Sequence, residues 1–100
     1  MIKHIVMWRL HDFADNKTKS ENAKLLKNMF SDLPSRIERI RFMEVGINLY
    51  QTGSASDVVL YSGFDSIEHL RSYQNHPANQ KMARFLNLVR SEKRVVDYEV

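Results

Sequence analysis

The sequence contains no cysteine. That excludes a disulfide framework, a thiolate metal site and a cysteine nucleophile, and it leaves burial or association to hold the chain together. Proline occurs twice and glycine three times. With so few glycines there is no phosphate-cradling loop, and no G-x-S-x-G elbow is present. No apolar run approaches the ~20 residues of a membrane-spanning helix. The start, Met1-Ile2-Lys3-His4, lacks the apolar region and cleavage site of a secretory leader. A cytoplasmic chain with no membrane partner is the expectation. Charge of neither sign dominates, with 15 Lys and Arg against 12 Asp and Glu for a net +3. Such a balance is weak support for a polyanionic partner.

What is present is an ordinary globular composition of 100 residues, 43% hydrophobic and 27% charged. The length allows one domain, 1–100, whose core buries roughly 65% of the unfolded surface. Residues 2–10 are rich in β-branched and aromatic residues and read as a strand. Residues 11–18 are polar and read as a loop. Thr18 and Glu21 are spaced as a capping box. Leu25, Leu26, Met29, Phe30 and Leu33 recur behind them at helical spacing, predicting a helix near 19–32 that Pro34 stops. Within 37–50 the second half alternates like a strand, and Gly46 suggests a bulge. A loop at 51–56 leads to a strand from Asp57 to Phe64. Asp65 and Glu68 are spaced as a second capping pair, before a short helix carrying Ile67 and Leu70. Asn75-His76-Pro77 breaks that helix, and Pro77 suits the first position of the next. Met82, Phe85, Leu86 and Val89 carry an apolar stripe to about residue 91, and residues 94–100 close the chain as a strand.

The element order is βαββαβ with a broken second helix, an α+β, ferredoxin-like split motif whose four-stranded antiparallel sheet is covered by helices on one face. The strands carry a second message. Strand one places Ile2, His4, Val6, Trp8 and Leu10 on one side, yet Ile5 and Met7 lie on the other. Strand three splits Val58, Leu60 and Phe64 from Val59 and Tyr61, and the last strand splits Val95 from Val96, Tyr98 and Val100. A sheet with one wet face alternates cleanly between apolar and polar. These strands do not, so the open face is expected to pack on a second copy, giving a homodimeric α+β barrel.

With these blocks placed, the chain resembles the stress-responsive A/B barrel (Dabb) family. The opening Ile2-Lys3-His4-Ile5-Val6-Met7-Trp8-Arg9-Leu10 is similar to its K-H-x-V-x-x-x-L start, and Glu44-Val45-Gly46-Ile47-Asn48 to its E-x-G-x-N stretch. Asp57 to Ser66 is similar to its third strand and following cap. Tyr73-Gln74-Asn75-His76-Pro77 matches Y-x-x-H-P, and Val95-Val96-Asp97-Tyr98 matches the terminal V-x-D-Y. The resemblance covers the whole chain and implies the same dimeric barrel. It implies no single function: many members are known as stress-induced proteins, and a few are cofactor-free enzymes, notably polyketide cyclases working by acid–base chemistry. In those cyclases Tyr and His act together within Y-x-x-H-P-x-H. Here Asn79 stands at the final His position, and an amide carries no proton at neutral pH. The departure puts that cyclase mechanism in doubt.

The residues themselves nominate a site on the face beneath the helices. His4 and Asp97 fall on strands that this topology makes neighbours, where a carboxylate orients an imidazole as base or ligand donor. The alternative is a satisfied structural pair. Tyr73 and His76 sit at the helix break, where they equally suit a core tyrosine and a turn residue. Trp8 and Phe30, with Phe64, Phe85, Met29 and Met82, suit either an apolar pocket or plain core. The expected set is therefore His4, Tyr73 and Asp97 as polar or catalytic contacts. Trp8, Phe30, Ser62, His76 and Asn79 are expected to bind ligand. His4, His11, His69 and His76 show no metal-ligand spacing, so no metal and no cofactor are expected. The basic residues Arg36, Arg39 and Arg41 and lysines 17, 19, 24 and 27 lack interleaved aromatics, so no nucleic-acid partner is expected. The leading expectation is a protein that binds a small apolar or aromatic molecule. The rivals are a cofactor-free cyclase or isomerase using His4 and Tyr73, and a purely structural stress-induced oligomer.

Overall fold

A computed structural model describes all residues, 1–100. The main sheet is built from β1 (Ile2–Leu10), β4 (Phe42–Ile47), β5 (Val58–Phe64) and β6 (Arg90–Glu99), in the order β4-β5-β1-β6 with every pairing antiparallel. The expected ferredoxin-like topology is therefore present. Helices α1 (Lys19–Asp32), α2 (Ile67–Asn75) and α3 (Pro77–Val89) lie on one face of the sheet.

The cover follows from the side-chain period of two in a strand and 3.6 in a helix. Val6, Trp8 and Leu10 of β1 and Val58, Leu60 and Phe64 of β5 point to the helices and are buried. They meet Leu26 and Phe30 of α1, Leu70 and Tyr73 of α2, and Met82, Leu86 and Val89 of α3 in one core. The capping box that opens α1 is formed: the Glu21 N–H donates to Thr18 Oγ1 and the Thr18 N–H to Glu21 Oε1. Pro77 opens α3 as expected, with His76 as its cap.

Four local expectations are corrected. The 11–18 segment contains a small hairpin, β2 (Phe13–Ala14) and β3 (Lys17–Thr18), turned by Asp15 and Asn16 at φ of 52° and 60°. A two-residue turn with both φ positive matches the right-handed twist of its strands, and Asp and Asn tolerate that conformation. The cap of α2 is Ser66, not Asp65; its hydroxyl accepts from the His69 N–H. Gly46 marks no bulge, since β4 pairs with β5 in unbroken register. The irregularity falls instead between Arg9 and Leu10 against β6. Finally, α3 ends at Val89 and β6 begins at Arg90, four residues before the expected start.

The other face of the sheet has no helix. Met7, Val96 and Tyr98 stand on it 40%, 50% and 41% exposed, so its apolar side chains are not covered by this chain. Phe42 lies edge-on to Tyr61 there, and Lys3 Nζ sits 4.8 Å from the Phe42 ring centre. Phe42 also occupies the space above Gly63: a Cβ at that position would fall 2.2 Å from a Phe42 ring carbon. Any larger residue there would displace the Phe42 ring.

Candidate functional site

Between the sheet and the helices a cavity of about 130 Å³ remains, lined mainly by apolar residues. Its floor is Val6, Trp8 and Leu60 of β1 and β5, and its roof is Phe30 of α1 with Ala83 and Leu86 of α3. The Trp8 and Phe30 rings stack at 5.4 Å, forming an aromatic wall. Val95 and Lys93 of β6 face Gln74 and Asn79 across the mouth. The opening lies here because β6 is an edge strand reaching beyond the helices, which leaves Val95 about half exposed.

The polar end is set by strand register. His4 pairs with Asp97 across β1 and β6, and His4 Nδ1 contacts Asp97 Oδ1. An ionised carboxylate only accepts, so Nδ1 carries a proton, and in the neutral imidazole Nε2 is then the acceptor. His4 is 5% exposed and lines the cavity. The pair therefore presents an oriented acceptor in an apolar surround. Ser62 Oγ donates to the His4 carbonyl at 3.4 Å from the next strand and fixes the backbone behind the ring. Tyr73 meets His4 edge-on, with ring centres 6.2 Å apart. Burial pushes the Tyr73 phenol well above the usual range, because the phenolate loses its hydration there. Tyr73 is thus a neutral group that can donate a hydrogen bond.

The structure brings together His4, Trp8, Phe30, Tyr73 and Asn79 around one cavity, with Asp97 behind His4. Ser62 is fully buried beside it rather than in its lining. His76 goes elsewhere. Its Nδ1 accepts the Ala78 N–H, and it lines an open polar cleft with Arg36, Arg39, His69 and Ser72. Sequence reasoning missed Lys93, Gln74, Ala83, Leu86 and Val95 as lining residues. For Lys93 the signal was available: extending the His4–Asp97 pairing by four residues places Lys93 opposite Trp8. No three His, Asp or Glu side chains converge where they could hold a metal ion. No helix is long and apolar enough to cross a membrane.

Fold and site together define an α+β sandwich protomer with an apolar cavity and a carboxylate-backed histidine at one end of it. Residues 2–100 match the Stress Responsive A/B Barrel Domain, and the chain belongs to that Dabb family. It is 30% identical over 82 residues to an uncharacterised protein of Streptomyces coelicolor, covering 80% of each chain. Among solved structures it is similar to a dimeric, ferredoxin-like protein of unknown function from Bacteroides fragilis. That likeness has a TM-score of 0.84 and 30% identity, over 99% of this chain and 95% of that one. The hydroxynitrile lyase of Passiflora edulis shares the fold at a TM-score of 0.81 and 14% identity, over 99% of this chain and 92% of the lyase.

Proposed function

We propose that this protein binds a small, largely apolar molecule, about one aromatic ring in size, in the cavity between sheet and helices. The observation that carries the reading is the free Nε2 of an Asp97-held His4 at the end of a cavity walled by Trp8 and Phe30. A plain core would fill this space, since interiors pack as densely as organic crystals. A dry cavity of about 150 Å³ accommodates benzene, which sets the scale for the 130 Å³ here. His4 Nε2 supplies an acceptor and the Tyr73 hydroxyl a donor, so the ligand carries one or two neutral polar atoms at that end.

The protein binds this ligand as a homodimer through its open sheet face. Ile5, Met7, Val59, Tyr61, Val96 and Tyr98 form an apolar centre there, with Lys3, Arg9, Glu44 and Arg94 around it. The Bacteroides fragilis relative is itself dimeric. Light scattering at micromolar concentration should give twice the chain mass, and Val96→Asp should halve it; a wild-type monomer would reject the dimer.

The cavity reading is tested with phenol and benzyl alcohol as probes. Titration should change the fluorescence of Trp8, the one tryptophan of the chain, and shift the amide resonances of His4 and Tyr73 saturably. Leu86→Phe, which fills the roof, should abolish both effects. Signals that stay flat, or that survive in Leu86→Phe, would reject it.

Asp97 favours a second reading, a cofactor-free acid–base enzyme. His4 Nε2 would take a proton from the substrate while Asp97 stabilises the resulting imidazolium, and Tyr73 would donate to the oxygen on which charge develops. The Passiflora edulis lyase, an enzyme of the same fold, supports such a role. Phenylacetone in D₂O offers a direct check. The wild type should accelerate deuterium exchange at its benzylic carbon, and His4→Ala should lose the acceleration while keeping its fold. Equal rates with and without protein would count against catalysis.

A further inference from the structure

We infer that the ligand of this cavity is an anion, a single-ring or branched-chain carboxylate, and that Lys93 at the mouth is the residue that selects it. The inference rests on the cavity reading and adds to it the ligand's charge and orientation.

It follows from the register of the edge strand. The pairs His4–Asp97, Val6–Val95 and Trp8–Lys93 set the cavity side of β6 as carboxylate, apolar residue, ammonium. Four residues of strand separate Asp97 from Lys93, about 13 Å at the usual rise. The cavity therefore has two unlike ends. The inner end is His4, and Asp97 stands behind it on the edge strand, outside the lining, with its carboxylate directed to His4. A second carboxylate placed beside His4 would face like-charge repulsion from Asp97, moderated by the water that reaches the Asp97 side chain. The outer end holds Lys93, and no carboxylate of the chain neutralises it. The nearest in sequence, Glu92, points to the opposite face of β6, where Arg9 lies 3.5 Å away and Arg94 2.7 Å away. Across the mouth stand two amides. Asn79 Nδ2 donates to the Gln74 carbonyl at 3.3 Å, which fixes the corner between α2 and α3 and leaves the Asn79 side-chain oxygen as an acceptor. Lys93 is thus the uncompensated charge at the entrance.

Size and solvation agree with this orientation. One ring fills the 130 Å³ beside Trp8 and Phe30. A carboxylate attached to that ring then emerges at the mouth, where it stays partly hydrated and avoids the penalty of a buried charge. A flexible lysine stem lies along apolar surface with its head in water, which suits it to meet an anion at a rim. A neutral ligand gains nothing from Lys93, and a cationic one is repelled by it.

The test compares phenylacetate, phenylacetamide and phenethylamine, three probes of similar shape and different charge. Affinities are read from Trp8 fluorescence and from the amide shifts of His4 and Tyr73. Phenylacetate should bind at least tenfold more tightly than phenylacetamide, with phenethylamine weakest, and added salt should narrow the gap. Lys93→Met should bring phenylacetate to the level of phenylacetamide while changing the amide's affinity less than twofold. Lys93→Arg should keep the preference. Lys93 is exposed on an edge strand, so these variants are expected to fold. Equal binding of acid and amide by the wild type, or a preference that persists in Lys93→Met, would overturn the inference and leave the cavity reading standing. Failure of all three probes to move Trp8 or His4 would overturn both.

Discussion

The two faces of the sheet carry similar residues and meet different fates. On the helix side of β1 and β5, Val6, Trp8, Leu60 and Phe64 are at most 3% exposed. On the open side, Ile5, Met7, Val59 and Tyr61 of the same strands stay half-buried or exposed. The polar residues differ in the same way. His4 beneath the helices is held by a carboxylate beside an apolar cavity, so its free nitrogen carries chemical weight. Lys3, its neighbour in sequence, lies across the Phe42 and Tyr61 rings of the open face and donates to the Tyr61 hydroxyl at 3.1 Å. One step along the strand separates a candidate reactive group from a solvated cation. Cover, rather than residue type, makes the difference.

The largest expected effect breaks that comparison directly. Leu60 and Val59 are adjacent and point to opposite faces. Leu60→Ala should destabilise the fold by about 2–5 kcal/mol, the range for deleting a fully buried leucine, because it opens a void against the helices. Val59→Ala removes less apolar bulk from a face covered only in the assembled dimer, and should cost less, about 1–2 kcal/mol, when urea midpoints are compared at one protein concentration. Similar losses at the two positions would mean that the open face is as deeply packed as the core.

A smaller effect is expected where the covered face is sewn to the loop before β5. Asp57 is 6% exposed, and its Oδ2 accepts the Leu10 N–H at 2.8 Å, at the irregularity where β1 slips against β6. Lys19 Nζ stands 3.5 Å from the same oxygen. Asp57→Ala leaves that N–H without a partner and should cost about 1–3 kcal/mol. Asp57→Asn keeps an acceptor and should lose less. Chemical denaturation of the two variants separates them, and equal losses would point to charge rather than the hydrogen bond.

Much of the covered face was legible in the sequence, because each element there declares itself by period. The β1 alternation and the Leu26–Phe30–Leu33 stripe follow from burial against one partner layer, and together they put His4, Trp8 and Phe30 on the same buried side. The His4–Asp97 contact followed from topology, which makes the first and last strands neighbours. What sequence did not reveal lies where side-chain pattern is silent. Arg90-Ser91-Glu92-Lys93 is polar and carries no strand signal in its side chains, yet backbone pairing with β1 extends β6 through it, so Lys93 follows from the His4–Asp97 register and not from side-chain pattern. His76 sits in a motif that resembles a catalytic one, but its ring is used to cap α3, and a cap contact is invisible to spacing. The Asp15-Asn16 turn fell inside a polar run that reads as loop until its φ angles are seen.

The smallest expected effect asks whether α1, the wall that carries Phe30, is held by its end or by its face. Glu21 has its carboxyl held below the ordinary carboxylate range, first by the Thr18 backbone N–H and then by the Thr18 hydroxyl. Both favour the charged form. A carboxyl whose folded pKa is depressed adds stability above its unfolded pKa, and that contribution is lost as the pH falls through the lowered folded value. The carboxylate half of the capping box therefore helps α1 more at neutral pH than in acid, while the Glu21 N–H bond to the Thr18 hydroxyl persists. Thr18→Ala should cost about 1 kcal/mol at pH 7, the usual cost of losing such a cap. The difference from wild type should shrink as the pH is taken below 4. Urea titrations of both proteins at several pH values measure this. A loss approaching that of Leu60→Ala would show that the helix end, rather than the buried Leu26 and Phe30, seats α1 on the sheet. A loss that does not change with pH would show that the Thr18 hydroxyl acts without Glu21.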